Sequence, residues 1–197
     1  MNSLKGTETE KNLITSFANE SQAHLRYAFF AGQAKKDGYV EVEALFLQTS
    51  EQEKAHAKRF FKFLEGGDVE VNFPFPAGVI GSTEDNLRRS AEAEKHENES
   101  LYPHFADIAE KEGFTEIATV YRKIAVAEGE HSRRYSELLS RIENGTYFKS
   151  EEEIVWECRK CGYLHKGKTP PEKCPACAHP KDYFQRHSDA PIGPLNA

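Results

Sequence analysis

No stretch of this 197-residue sequence approaches a membrane span, and only 38% of its residues are hydrophobic. Excess positive charge is missing too: 32 acidic residues outnumber 26 basic ones, giving a formal charge of -6, which disfavours a nucleic-acid partner. The first twelve residues, Met1 to Asn12, are polar and charged and contain no secretory-type apolar run, so a cytoplasmic protein is expected. Cysteine is absent until Cys158, and all four cysteines fall between Cys158 and Cys177. Disulfides therefore cannot staple the first three quarters of the chain, and in a reducing compartment metal binding outranks disulfide formation. Proline is absent before Pro74, which leaves room for long uninterrupted helices.

What is present divides by periodicity. Thr7 with Glu10 forms a capping box that opens helix A, which runs to Asp37 and Gly38. Helix B follows from about residue 39 to Glu65, where Gly66 and Gly67 supply a stop. Residues 68–81, with Pro74, Pro76, Gly78 and Gly81, read as a long connection over the helices. Ser82 with Asp85 starts helix C, which continues to about Glu112 with a bend expected near Pro103. Gly113 separates it from helix D, which ends at Asn144 and Gly145. Two short connections and one long one predict a mainly α protein, a ferritin-like four-helix bundle over residues 1–147. Residues 148–197 then form a linker and a small metal-stabilised β domain, too small for an adequate apolar core.

Every inward helical stripe is broken at its middle by acid. Helix A presents Leu13, Phe17, Glu20, His24 and Tyr27; helix B presents Phe46, Glu53, His56 and Phe60. Helix C presents Leu87, Glu94, Glu97 and Leu101, and helix D presents Tyr121, Glu128, His131 and Tyr135. An isolated buried carboxylate costs of order 20 kcal/mol before relaxation, and no inward lysine is available. Two ferrous ions against Glu20, Glu53, Glu94, Glu97 and Glu128 leave one negative charge, and two ferric ions with an oxo bridge leave the same. Glu53-x-x-His56 and Glu128-x-x-His131 each put an oxygen and an imidazole nitrogen one turn apart, a pattern shared with ferritin-like di-iron proteins. The halves also repeat: Glu20 to Glu53 is 33 residues and Glu94 to Glu128 is 34. A single Glu-x-x-His is common on charged helices, but two in register with a lone upstream glutamate point to metal. Glu92, Glu99, Glu110, Glu116 and Glu130 fall off these faces and read as solvated. His24 reads as a satisfied core histidine, and His96 and His104 carry less signal still.

Cys158-x-x-Cys161 and Cys174-x-x-Cys177, twelve residues apart, form two chelating knuckles for one tetrahedral four-thiolate ion. Spacing alone leaves zinc and iron open. Gly162 is expected to let its amide approach a sulfur, with Trp156 and Tyr163 covering the site.

Together these motifs resemble the rubrerythrin family over essentially the whole chain, including Cys-Gly-Tyr and Cys-Pro-Ala-Cys in the last part and the order of bundle first, rubredoxin-like domain last. The resemblance implies an oxo- and carboxylate-bridged di-iron site held by Glu20, Glu53, His56, Glu94, Glu97, Glu128 and His131, and one iron held by the four cysteines. It further implies a peroxidase that reduces hydrogen peroxide to water in oxidative-stress protection, fed by a redox donor such as a reductase or rubredoxin, in a homodimer. Glu97, as a fifth carboxylate, is then a ligand that exchanges with His56 on reduction. Tyr27 and Tyr102 become hydrogen-bonding neighbours of the site, although Tyr27 reads equally as core. Ala178 stands where free rubredoxins commonly have glycine. The rival readings are a ferroxidase or iron-storage bundle, and a zinc-ribbon interaction module fused to a metal-binding bundle.

Overall fold

The computed structural model describes residues 3–187 and is mainly helical, with a ferritin-like bundle followed by a small three-stranded domain. Helix α1 (Glu8–Lys36) is capped by Thr7, whose hydroxyl accepts from the Glu10 amide at 3.1 Å. The Glu10 carboxylate reaches back to the Gly6 amide at 2.8 Å. Glu112, arriving from the end of another helix, accepts from the amides of Glu8 at 3.1 Å and Thr9 at 2.9 Å. The amino-terminal donors that a helix leaves unpaired are thus largely satisfied. A tight turn at Gly38, whose φ of +86° suits glycine, leads into α2 (Val40–Phe61).

Helix α2 stops four residues earlier than its sequence suggests. Glu65 is drawn away to the amino-terminal segment, accepting from Ser3 Oγ at 2.7 Å and the Leu4 amide at 3.1 Å. Residues 62–81 contain no helix or strand, and their Pro76, Val79 and Ile80 lie against Arg26, Phe29 and Phe30 of α1.

Helix C is three pieces: α3 (Thr83–His96), a π-helical segment (Glu97–Leu101) and α4 (Tyr102–Lys111). The disturbance expected at Pro103 thus takes the form of a π segment just before it. A π segment is in effect one extra residue wound into an α-helix, and the repeat exposes it. Glu20 to Tyr27, Glu53 to Phe60 and Glu128 to Tyr135 are seven residues each, whereas Glu94 to Tyr102 is eight. Helix α5 (Thr115–Glu143) completes the bundle.

Helix α1 packs chiefly on α2, and α5 on α3 and α4. Two apolar cores result, one per end of the bundle. One gathers Tyr27, Val42, Phe46, Leu87 and Tyr135, the other Leu13, Phe60, Tyr102, Ile117 and Tyr121. The acidic mid-helix positions lie between them.

The small domain is an antiparallel sheet in the order β2-β1-β3, with β1 (Ile154–Cys158) central, β2 (Leu164–Gly167) and β3 (Phe184–Arg186). Its core is only Trp156, Cys158, Cys174 and Phe184 with a few partly covered neighbours. The domain sits at the α2 amino-terminal end of the bundle. There Asp182 lies against Gly38, and the Arg186 guanidinium donates to the carbonyls of Thr146 and Lys149 at 3.0 and 3.1 Å. Among the described residues, no helix is long and apolar enough to cross a membrane.

Candidate metal centres

Each of the four central helices contributes one glutamate that is at most 1% exposed: Glu20, Glu53, Glu94 and Glu128. The two histidines one turn beyond Glu53 and Glu128 turn inward with them. The result is two groups of potential ligand atoms, each lying within 4.8 Å of one another: Glu20, Glu53, His56 and Glu128, and Glu53, Glu94, Glu128 and His131. Glu53 and Glu128 belong to both. Six of the seven bundle ligands suggested by the sequence are thereby brought together.

The donor set fits cations. His131 Nδ1 stands 2.8 Å from Glu128, 3.0 Å from Glu53 and 3.4 Å from Glu94, while His56 Nδ1 stands 3.0 Å from both Glu53 and Glu128. An octahedron with metal–ligand bonds of about 2.1 Å has edges of about 3.0 Å. Yet Glu53 Oε1, Glu94 Oε2, both Glu128 oxygens and His131 Nδ1 are buried without a hydrogen-bond partner. Buried polar atoms in folded proteins are rarely left so. Five of them converging on one spot is the signature of ligands directed at ions.

The electrostatics agree. Burial, then the charges of Glu53 and Glu128, pushes Glu20 well above the ordinary carboxylate range. Burial and the Glu53 charge raise Glu94 to about 8. Burial alone would lower His131, but the facing carboxylates of Glu128, Glu53 and Glu94 outweigh it and raise it to about 12. His56 is raised to about 10 by Glu128 and Glu53 against the same opposing burial. Shifts of this direction mark a site whose acidic groups favour positive charge close by.

The groups around these ligands orient them. The Tyr102 hydroxyl donates to Glu20 Oε1 and the Tyr27 hydroxyl to Glu94 Oε1. Both tyrosines are therefore hydrogen-bonded to site carboxylates while also being core. His131 Nε2 contacts Gln52 Oε1 at 3.0 Å; donation there leaves Nδ1 as the free lone pair. Gln52 escapes sequence reading because it sits beside Glu53 with no pattern of its own. Glu97 belongs to neither quartet; it starts the π segment, half-buried, pushed up by burial and by Glu94. His24 also stays outside, its Nδ1 at 2.8 Å from the Ser50 carbonyl. His96, His104, Glu92, Glu99, Glu110, Glu116 and Glu130 are exposed.

In the small domain all four cysteines are free, and their sulfurs form a single group within 4.8 Å of one another. Cys158 Sγ lies 3.8 Å from Cys177 Sγ, and Cys161 Sγ lies 3.7 Å from Cys174 Sγ. A tetrahedron with metal–sulfur bonds of about 2.3 Å has edges of about 3.8 Å. The backbone amides of Lys160, Cys161, Tyr163, Ala176 and Cys177 donate to the sulfurs. The Gly162 amide does not; it donates to the Cys158 carbonyl at 2.8 Å, and glycine is needed for the φ of +76° instead. The second knuckle mirrors this, with the Ala178 amide on the Cys174 carbonyl at 2.9 Å and φ +62°. A left-handed alanine costs roughly 1 kcal/mol, which is why glycine is the easier residue there.

A family model described as Rubrerythrin matches residues 11–139, and one for the rubredoxin-like domain of rubrerythrin matches residues 156–185. A rubrerythrin of Porphyromonas gingivalis is 56% identical, covering 93% of this chain and 92% of its own. A rubrerythrin of Nitratidesulfovibrio vulgaris is 54% identical, covering 94% and 97%. Among solved structures, a nigerythrin in a mixed-valence state is similar with a TM-score of 0.62 at 29% identity, covering 94% of this chain and 92% of that one.

Proposed function

Because the chain belongs to the rubrerythrin family, we propose that it is a peroxidase that reduces hydrogen peroxide to water at a di-iron site, with electrons relayed through iron in the four-cysteine site. Two ferrous ions, when bound, supply the two electrons that cleavage of one O–O bond takes up. The chain's part is to hold and shape that chemistry. Glu53 and Glu128, shared by both quartets, would hold both ions, while Glu20 and Glu94, each also bound by a tyrosine hydroxyl, would each hold one. Tyr102 and Tyr27 fix those carboxylates, and Gln52 fixes the His131 tautomer.

The observation that carries the reading is the place of Glu97. Four glutamates and two histidines complete two quartets of identical composition, with His56 inside and Glu97 held back at the edge. A generic iron-oxidising bundle has no use for a fifth carboxylate, whereas a site whose charge changes by two electrons per turnover does. We assign Glu97 and His56 as alternating ligands, the carboxylate serving the oxidised state and the imidazole the reduced one. Replacing Glu97 with alanine should leave iron loading intact and slow peroxide reduction by roughly 100-fold. Normal peroxide kinetics with faster oxygen-driven iron oxidation would make ferroxidase the better name.

The electron route implies a second copy. Within one chain the small domain brings Arg159 near Glu41, which is twelve residues, or about 18 Å along α2, from Glu53. Charge supports docking on a partner: residues 1–147 carry 25 acidic and 18 basic side chains, whereas residues 154–187 carry 3 and 7. Exposed Leu25, Phe29, Leu47 and Phe61 on α1 and α2 offer an apolar face for the homodimer. The donor to the cysteine site is a one-electron protein of the reductase or rubredoxin kind.

A further inference from the structure

Gly129 stands in the interior of α5, directly after Glu128, where glycine is the least favourable choice short of proline. Its position is explained by what it faces. A Cβ built there would lie 2.9 Å from Asn98 Nδ2, closer than real Cβ atoms approach anything, and 3.1 Å from Asn98 Cγ, tighter than nearly all real contacts. Asn98 is the second residue of the π segment, next to Glu97, and its side-chain amide crosses to donate to the Ala125 carbonyl on α5. That carbonyl is one turn before the Gly129 amide, so the bare glycine surface is the floor on which the Asn98 amide rests. π-helical turns are rare and need outside support, and Asn98 supplies it from the helix that carries Glu128 and His131.

We propose that Asn98 and Gly129 form a clamp that keeps the π segment wound and fixes the backbone from which Glu97 swings, so that both are positioning residues for the exchange of Glu97 with His56; the proposal rests on the peroxidase reading above. With the clamp closed, Glu97 reaches or leaves the site by side-chain rotation alone. With it open, the backbone at residue 97 wanders, and delivery of the carboxylate becomes a search.

The test uses full-length, iron-loaded protein with Asn98→Ala, Asn98→Asp, Gly129→Ala and the pair Asn98→Ala/Gly129→Ala. Amide hydrogen exchange over residues 97–101 is read alongside iron content and peroxide oxidation of chemically reduced protein. Each single change should speed exchange by about tenfold and lower kcat by about tenfold, with KM and iron content unchanged. Asn98→Asp, which keeps the shape but loses the donor, should match Asn98→Ala. The pair should be no worse than Asn98→Ala, because without the amide the new Cβ meets open space. Unchanged exchange in the single variants overturns the clamp, as does a Gly129→Ala effect that multiplies onto Asn98→Ala. Faster exchange with normal kcat overturns the positioning role. Wild-type protein inert to peroxide would instead sink the function, while the exchange arms still decide the clamp.

Discussion

Replacing Tyr102 with phenylalanine removes one oxygen atom from a fully buried ring and strips Glu20 of the hydroxyl that holds its outer oxygen. The shape of the core is kept, since Phe60 and Tyr121 pack on the ring faces and edges rather than on the hydroxyl. The loss depends on the charge of Glu20. With cations bound, Glu20 is a carboxylate, and a hydrogen bond to a charged acceptor contributes about 1.5–3 kcal/mol. Without cations, burial and the charges of Glu53 and Glu128 push Glu20 well above the ordinary carboxylate range, towards the neutral acid, and a neutral pair contributes only about 0.5–1.5 kcal/mol. Affinity changes by the difference between these two losses, about 1–1.5 kcal/mol, so at about 1.4 kcal/mol per decade ferrous affinity should fall by about tenfold. The variant should therefore bind iron about tenfold less tightly, while metal-free protein loses only about 0.5–1.5 kcal/mol of stability. Anaerobic competition against a coloured ferrous chelator, with calorimetry of metal-free samples, measures both. Wild-type iron affinity, or a loss of stability as large without metal as with it, would refute the assignment of Tyr102 as an orienting residue.

Replacing Cys158 and Cys161 with serine should abolish the visible iron–thiolate absorption and donor-driven turnover, while chemically reduced bundle still consumes peroxide; unaltered steady-state turnover would take the cysteine site off the route. Mixed dimers of a Cys158→Ser chain and a Glu53→Ala chain should regain activity that neither homodimer has, and properly mixed samples without recovery would point to a path inside one chain. Glu112 is held below its ordinary value because the Thr9 side chain and the amides of Thr9 and Glu8 outweigh its partial burial. A depressed carboxylate stabilises the fold above its unfolded value and loses that contribution as pH falls through the folded one. Glu112→Gln should thus cost roughly 0.5–1 kcal/mol at pH 7, at the low end because the group is partly exposed, and the gap from wild type should close in strong acid; a constant gap in urea titrations across pH would show that the charge is not the cause.

The bundle and most of the residues that converge at its centre were legible because burying charge is so unfavourable that acids at mid-stripe announce themselves. Glu20, Glu53, Glu94 and Glu128 lie on a face that only a helix of 3.6 residues per turn brings inward, and His56 and His131 follow one turn on. The cysteine site was legible for a different reason: four soft ligands in two Cys-x-x-Cys knuckles can close only a small volume. The standing of Glu97 outside both quartets was not legible, since nothing in Glu-Asn-Glu-Ser-Leu distinguishes a π turn from an α turn. The signal that could have found it was the eight-residue step from Glu94 to Tyr102 against seven in the other three helices. The early end of α2 depends on Glu65 meeting Ser3 and Leu4, more than sixty residues away in sequence. Local propensity cannot report a contact of that range.

The two quartets are chemically the same, three carboxylates and one imidazole each, related by the repeat that links α1 and α2 to α3 and α5. Their backbones are not the same, because only one half carries the additional residue of the π segment. Symmetry in the residues of the quartets thus comes with asymmetry in the scaffold, and Glu97 stands where the two part. Deleting one residue, such as exposed Glu99, would restore the seven-residue step to Tyr102 and set Glu97 after Glu94 as His56 follows Glu53 and His131 follows Glu128 in regular α-helix. With all six residues of the two quartets still in place, chain length alone would then decide whether Glu97 stands at the edge of the site or within it.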